Sequence, residues 1–222
     1  MLDSGQKRTL NCISYLVQEY SKRDLTVPTD RRVAISALED RIKGALNKRS
    51  GHASGPQSSR YGIFQDFLHR NLLWRADDCQ LKQIEHKPPL PSWTWMAYSG
   101  VVKFIDVSFG GMEWVDSLRF DEKRTEAIIA TLWVFREGAA KGHIWFDMGE
   151  GDILGKQYCI VVGKIKSEPW YVFEYADEGS TNAEYHILVV VSTDVDGEYR
   201  RVGAGTVLCS HVVRQKTGVR VV

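Results

Sequence analysis

The chain is 222 residues long, 43% hydrophobic and 26% charged, a balance near the globular average that excludes disorder over most of its length. Lys and Arg number 29 against 28 Asp and Glu, a formal charge of +1, which excludes a strong overall field toward nucleic acid or an anionic membrane. Four cysteines, Cys12, Cys79, Cys159 and Cys209, are too sparse for a disulfide framework and read as free thiols of a reducing compartment.

Charge is unevenly divided, with 15 basic against 10 acidic residues before residue 90 and 14 against 18 after it. The two parts are therefore expected to attract. Residues Met1 to Arg8 show no apolar signal core. The longest strongly apolar stretch, Ile187 to Val191, is about a quarter of the ~20 residues that a membrane-spanning helix needs. The expectation is a soluble cytoplasmic protein with no membrane or nucleic-acid partner.

In chain order, Ile13, Leu16, Val17 and Tyr20 recur on one face of a 3.6-residue period and predict a helix. Val27-Pro28 breaks it. Thr29 or Asp30 is placed to cap a second helix, striped by Val33, Ala37, Leu38, Ile42, Ala45 and Leu46, and the two are expected to pack antiparallel. Residues 48–60 are small, polar and turn-rich and read as a flexible loop. Ile63, Phe64, Phe67, Leu68 and Leu72 predict a third helix closing at Leu73-Trp74-Arg75, and Pro88, Pro89 and Pro91 enforce an extended lead into the next region.

From Ser92 the period becomes two, with Trp93, Trp95 and Ala97 alternating against Thr94, Met96 and Tyr98. Strand-like runs come after it at Val101–Val107, Trp114–Phe120, Ile128–Phe135, Ile144–Phe146, Tyr158–Ile165, Trp170–Tyr175, Tyr185–Val191 and Tyr199–Leu208. Gly- and Asp-rich turns separate them. The fold class is therefore α+β, with a helical subdomain of about three helices at 1–90 followed at 91–222 by an antiparallel β domain, either a sandwich or a partly open barrel.

The search for chemistry finds no catalytic, cofactor or metal set. Asp194, Asp196 and Glu198 lack the spacing of a calcium loop and read as a hairpin turn at Asp196-Gly197. Asp147, Glu150 and Asp152 form an acidic loop, and a site assembling Asp147, Glu150 and His143 stays open as an enzymatic alternative. Cys209 with His211, and Cys79 with His86, lack zinc spacing. Gly203-Ala204-Gly205 completes no dinucleotide fingerprint. The aromatic inventory is the unusual feature: Trp93, Trp95, Trp114, Trp133, Trp145 and Trp170 all fall in the β region. Buried, they supply core; exposed, they make a stacking platform for a sugar or nucleobase.

A resemblance adds to this. The run Tyr15-Leu16-Val17-Gln18-Glu19-Tyr20-Ser21-Lys22-Arg23-Asp24-Leu25-Thr26, the helix Asp30 to Leu38, and Tyr61-Gly62-Ile63-Phe64 through Leu72-Leu73-Trp74-Arg75 come in the order seen in fungal heterokaryon incompatibility (HET-domain) proteins. Pro91-Ser92-Trp93-Thr94-Trp95 is similar to that family's Pro-Ser-Trp-Ser-Trp element, and Tyr199-Arg200-Arg201-Val202-Gly203 resembles its closing Tyr-x-Arg-Val-Gly strand. Thr94, Met96 and Ala97 depart from the usual Ser and Ala-Ser. These landmarks lie downstream of the HET effector module. The resemblance therefore implies a non-enzymatic accessory region in nonself recognition and cell death, with the effector supplied upstream or separately. Its implied structural residues are Leu73, Trp74, Pro91, Ser92, Trp93, Trp95, Arg201, Val202 and Gly203. The alternative is a ligand-binding β module using its aromatic side chains.

Overall fold

Leu10, Ile13 and Val17 are all buried, and their spacing puts them on one stripe that turns the first helix, α1 (Ser4–Ser21), inward. The computed structural model describes residues 4–23, 25–50, 58–77, 81–149, 155–166 and 183–222. After α1, Val27 adopts extended backbone ahead of Pro28, as the proline ring requires. One 3₁₀ turn, Pro28–Asp30, then leads into α2 (Arg31–Ser50).

The buried face of α2 is Arg31, Ile35, Leu38, Ile42 and Leu46. Val33, expected on that stripe, is 72% exposed, and Ala37 and Ala45 are exposed as well. A tertiary contact sets the rotation. The Arg31 guanidinium lies 5.7 Å from the Trp95 ring and 5.9 Å from the Tyr20 ring, and it donates to Tyr98 O at 2.8 Å. With Arg31 held there, Ile35 follows one turn later.

The predicted third helix is broken up. Ser59–Arg60 (β1) and Ile63–Phe64 (β2) form a hairpin through Tyr61-Gly62, a two-residue turn needing positive φ, found here at 52° and 77°. Only Leu68–Leu72 (α3) is α-helical, preceded by the 3₁₀ turn Gln65–Phe67. Trp74–Ala76 (β3) pairs with Val102–Phe104 (β6), and Lys82–Gln83 (β4) with Tyr98–Ser99 (β5). Of the loop expected at 48–60, residues 48–50 continue α2 and 59–60 are β1, while 51–57 lie outside the described residues.

The remaining strands are Met112–Trp114 (β7), Arg119–Phe120 (β8), Ile128–Phe135 (β9), His143–Phe146 (β10), Gln157–Ile165 (β11), Glu184–Ser192 (β12), Glu198–Leu208 (β13) and Val212–Val221 (β14). They make one sheet of eight strands, so the α+β order of helices then sheet is what the chain adopts. The ladder closes on itself: β9 to β11, β11 to β12, β12 to β13, β13 to β14, and β14 back to β9. Of the two alternatives, the barrel describes this ring. Every pairing is antiparallel except Glu198–Tyr199 of β13 with Arg220–Val221 of β14, because a 3₁₀ corner at Cys209–His211 redirects the chain. The sequence reading missed β14 altogether. The expected strand Trp170–Tyr175 lies outside the described residues.

Alternate residues of the central strands feed two cores, since side chains in a strand point to opposite faces. Ile160, Val162, Leu188 and Val190 join a cluster with Ile13, Leu68, Trp74, Trp93 and Trp95. Cys159, Val161, Ile187 and Val189 join a second with Val202, Val207 and Val212. The first cluster runs across residue 90, joining both halves of the chain.

Candidate functional site

Arg201 sits in the middle of a strand otherwise rich in Val, Gly and Ala, and it is 0% exposed. A guanidinium so placed must find acceptors, because an unpaired buried charge costs several kcal/mol. Asp147, 1% exposed, supplies them: Arg201 Nε and Nη2 donate to its two carboxylate oxygens at 3.0 and 3.1 Å. Arg201 Nη1 also donates to Leu72 O at 2.6 Å and Nη2 to Trp74 O. The guanidinium carbon is 3.4 Å from the Trp74 ring centroid. Burial pushes the Asp147 carboxyl up, and the charge and hydrogen bonds of Arg201 oppose that shift.

The backbone around this pair is tied to the Pro-Ser-Trp segment. Ser92 Oγ accepts from Arg201 N at 2.8 Å and donates to Val222 O. Trp74 Nε1 donates to Trp93 O at 2.9 Å. Pro91 O accepts from Thr94 N at 3.2 Å, and Leu73 O from Ile105 N at 2.8 Å. Val202 O accepts from Asp147 N at 2.9 Å. At Gly203 an added Cβ would lie 2.6 Å from Trp145 O of β10, so only glycine admits the close approach of the two strands there. Eight of the nine residues singled out in the sequence thus lie at this buried node or within two residues of it along the chain, while Trp95 packs elsewhere, against Tyr20.

Trp93 and Trp95 are both fully buried, but they are not on a strand. Trp93 lies in a turn and Trp95 opens a 3₁₀ turn, Trp95–Ala97, capped by Thr94 Oγ1, which accepts from Met96 N. The period-two reading fails because every residue from Pro91 to Tyr98 is buried, so alternation carried no information there. The two rings consequently diverge. Trp95 meets Tyr20 of α1 edge-on at 6.3 Å. Trp93 meets Phe120 of β8 at 5.9 Å and donates from Nε1 to Glu126 O. One indole is keyed to α1, and its neighbour lies between Tyr61 of the β1–β2 hairpin, at 5.8 Å, and Phe120 of the sheet.

The other candidates disperse. His143 is exposed and stacks edge-on against Trp145 at 4.2 Å, whereas Asp147 is spent on Arg201; Glu150 and Asp152 lie outside the described residues. His211 donates from Nδ1 to Ala140 O at 2.8 Å in the corner it shares with Cys209, and His86 bonds Met96 O; Cys79 lies outside the described residues. Burial pushes the Cys159 thiol up to about 12, which removes thiolate chemistry at neutral pH. Gly197 takes φ 75° between β12 and β13, the turn expected of Asp196-Gly197. Among the described residues no group of three or more His, Cys, Asp or Glu is placed to hold a metal ion, and no helix is long and apolar enough to cross a membrane.

A cleft of about 510 Å³ opens between α3 and the sheet edge, lined in part by Asp66, His69, Arg70, Met112, Trp114 and Lys166. His69 packs on Trp114 at 5.4 Å and bonds Val115 O at 2.9 Å. Arg70 lies between Phe109 and Trp114, 4.3 and 5.2 Å from their rings. No motif in the sequence marked this cleft, whose walls come from three separate segments. No protein-family model, curated protein or solved structure matches the chain.

Proposed function

We propose that the chain is a non-catalytic accessory or regulatory region of the heterokaryon incompatibility type, acting in nonself recognition and cell death upon an effector module carried elsewhere. One observation carries this reading. The Pro91–Trp95 and Tyr199–Gly203 elements, which carry the resemblance, meet through Ser92 and Arg201 across 109 residues of chain, as the parts of a single scaffold would. Ser92, Thr94 and Arg201 spend their side-chain polar groups on internal hydrogen bonds, a structural rather than a reactive use. The test is co-expression with a HET effector module in a filamentous fungus, scored for cell death. The intact chain is expected to change the extent of death and to co-purify with the module, and Asp147→Ala to do neither. A chain that neither binds the module nor alters its effect overturns the reading.

The alternative, a ligand-binding β module that uses aromatic side chains, is favoured by a different observation: Trp114 is only half-buried and forms part of a cleft wall.

A further inference from the structure

The cleft beside Trp114 has the volume of a small-molecule site, within the usual range of about 300–1,000 Å³. Its walls divide by chemistry. Phe67 and Met112 are buried apolar side chains, and Trp114 is pressed onto the sheet, where Gly163 leaves room: a Cβ there would come within 2.9 Å of the indole. Above this apolar floor stand two cations. Lys166 is exposed and has no ion-pair partner among the described residues. Arg70 donates Nη1 to Val107 O and Nη2 to Ser108 O, the latter at the exposed end, and each amino group keeps a second hydrogen. Asp66 is the one carboxylate among the lining residues.

The surroundings hold two further polar atoms with unmet needs. Arg70 Nε and His186 Nδ1 are buried without a partner. His186 is 5% exposed on β12, in register with Gly163, which is in turn in register with Trp114. Burial and then the charge of Arg70 hold its imidazole below the ordinary value. Asp66 lines the cleft and Asp106 favours the Arg70 charge, yet Arg70 Nε stays buried without an acceptor and Lys166 without an ion pair among the described residues, as in a site completed by an anion.

We propose that this cleft binds a small organic anion, a carboxylate or phosphate joined to a flat apolar body, with Lys166 and Arg70 Nη2 facing the anionic head and Phe67, Met112 and Trp114 facing the body. The fit comes from the need each wall leaves unmet. A bare anion leaves the apolar floor wet, and a neutral ring leaves Lys166 without an ion pair and the second Arg70 Nη2 hydrogen unused. Binding here places a ligand against α3, whose Leu72 carbonyl accepts from Arg201, so the bound molecule rests on the same short helix as the buried node.

The test uses the 222-residue chain with isotope-labelled Met methyl and Trp indole groups followed by NMR. The probes are adenosine monophosphate and phenylacetate, each a flat body bearing an anion, with inorganic phosphate and acetate as the heads alone. At least one of the first two is expected to saturate with a Kd of about 1 mM or tighter, shifting Met112 and Trp114, and the two probes separate phosphate from carboxylate. Lys166→Ala, at an exposed position where folding is not at stake, is expected to weaken that binding about tenfold. The proposal is overturned if neither bodied anion shifts Met112 or Trp114, if the bare heads bind equally well, or if Lys166→Ala leaves binding unchanged.

Discussion

The Arg201–Asp147 node and the Trp114 cleft each set an arginine against aromatic rings, yet they use the pairing in opposite ways. At the node, the guanidinium is sealed from water and bonded to a carboxylate and two carbonyls, 3.4 Å from one ring. At the cleft, Arg70 is half-buried between two rings, with Nε left unpartnered. The first arrangement leaves nothing over for a ligand and serves the fold. The second leaves one buried donor without an acceptor beside open space, which is what recognition requires. Burial of an arginine therefore says little about its role until its donors are followed to their acceptors.

The largest expected effect breaks the first member of the comparison. Asp147→Ala strands the Arg201 charge in a dry core and is expected to cost about 3–5 kcal/mol, read as a lower urea midpoint. A loss below about 1 kcal/mol would mean that water reaches the guanidinium. Trp93→Ala removes a fully buried ring and one hydrogen bond to Glu126 O, with an expected loss of about 3–5 kcal/mol. An unchanged midpoint would place the ring at the surface.

Gly203→Ala probes the support of the node from the β10 side. A methyl group 2.6 Å from Trp145 O must push the two strands apart, and about 1–3 kcal/mol is expected. Retained stability would show that β10 yields freely there.

The cleft side is addressed by pH. Burial lowers the His69 imidazole below its ordinary value, with the Val115 carbonyl and Asp116 opposing, and burial lowers His186 as well. A histidine whose folded value is depressed binds its proton more readily in the unfolded chain. Its stabilising contribution is thus complete above about pH 6.5 and is lost as the pH falls through the lower folded value. Denaturation midpoints are expected to drop between about pH 7 and about pH 5, and to drop less in His69→Gln. A drop as large in the variant would assign the effect to other groups. The smallest effect is at Val33, where Val33→Thr at a 72% exposed position is expected to stay within about 0.5 kcal/mol. A larger loss would restore Val33 to the buried stripe of α2.

Legibility varied along the chain with the number of faces each element buries. The strands at 128–135, 184–192 and 198–208 were read within a residue or so of their ends, because β-branched runs between turn residues leave little choice. β14 escaped notice because Arg214, Gln215, Lys216 and Thr217 face solvent at its centre, hiding the valines that anchor its ends. The Trp93–Trp95 segment misled for the opposite reason, being buried on every side, so that period two had no meaning. Arg201, Trp74 and Ser92 of the buried node were marked by the resemblance, whereas Asp147 was placed in an acidic loop with Glu150 and Asp152. The signal that points to it is Arg201 itself, a charge inside an apolar strand that demands a partner.

By itself, the sequence determined what composition and local preference control: helices before strands and the hairpin glycine at 197. The tertiary structure alone decided which acid answers Arg201, which face of α2 turns inward, how the strands close into a ring, and where a cleft is left beside Trp114. Those outcomes depend on groups distant in the chain meeting in one place, and pairwise meeting is set by packing and charge compensation over the whole molecule rather than by any residue's own preference.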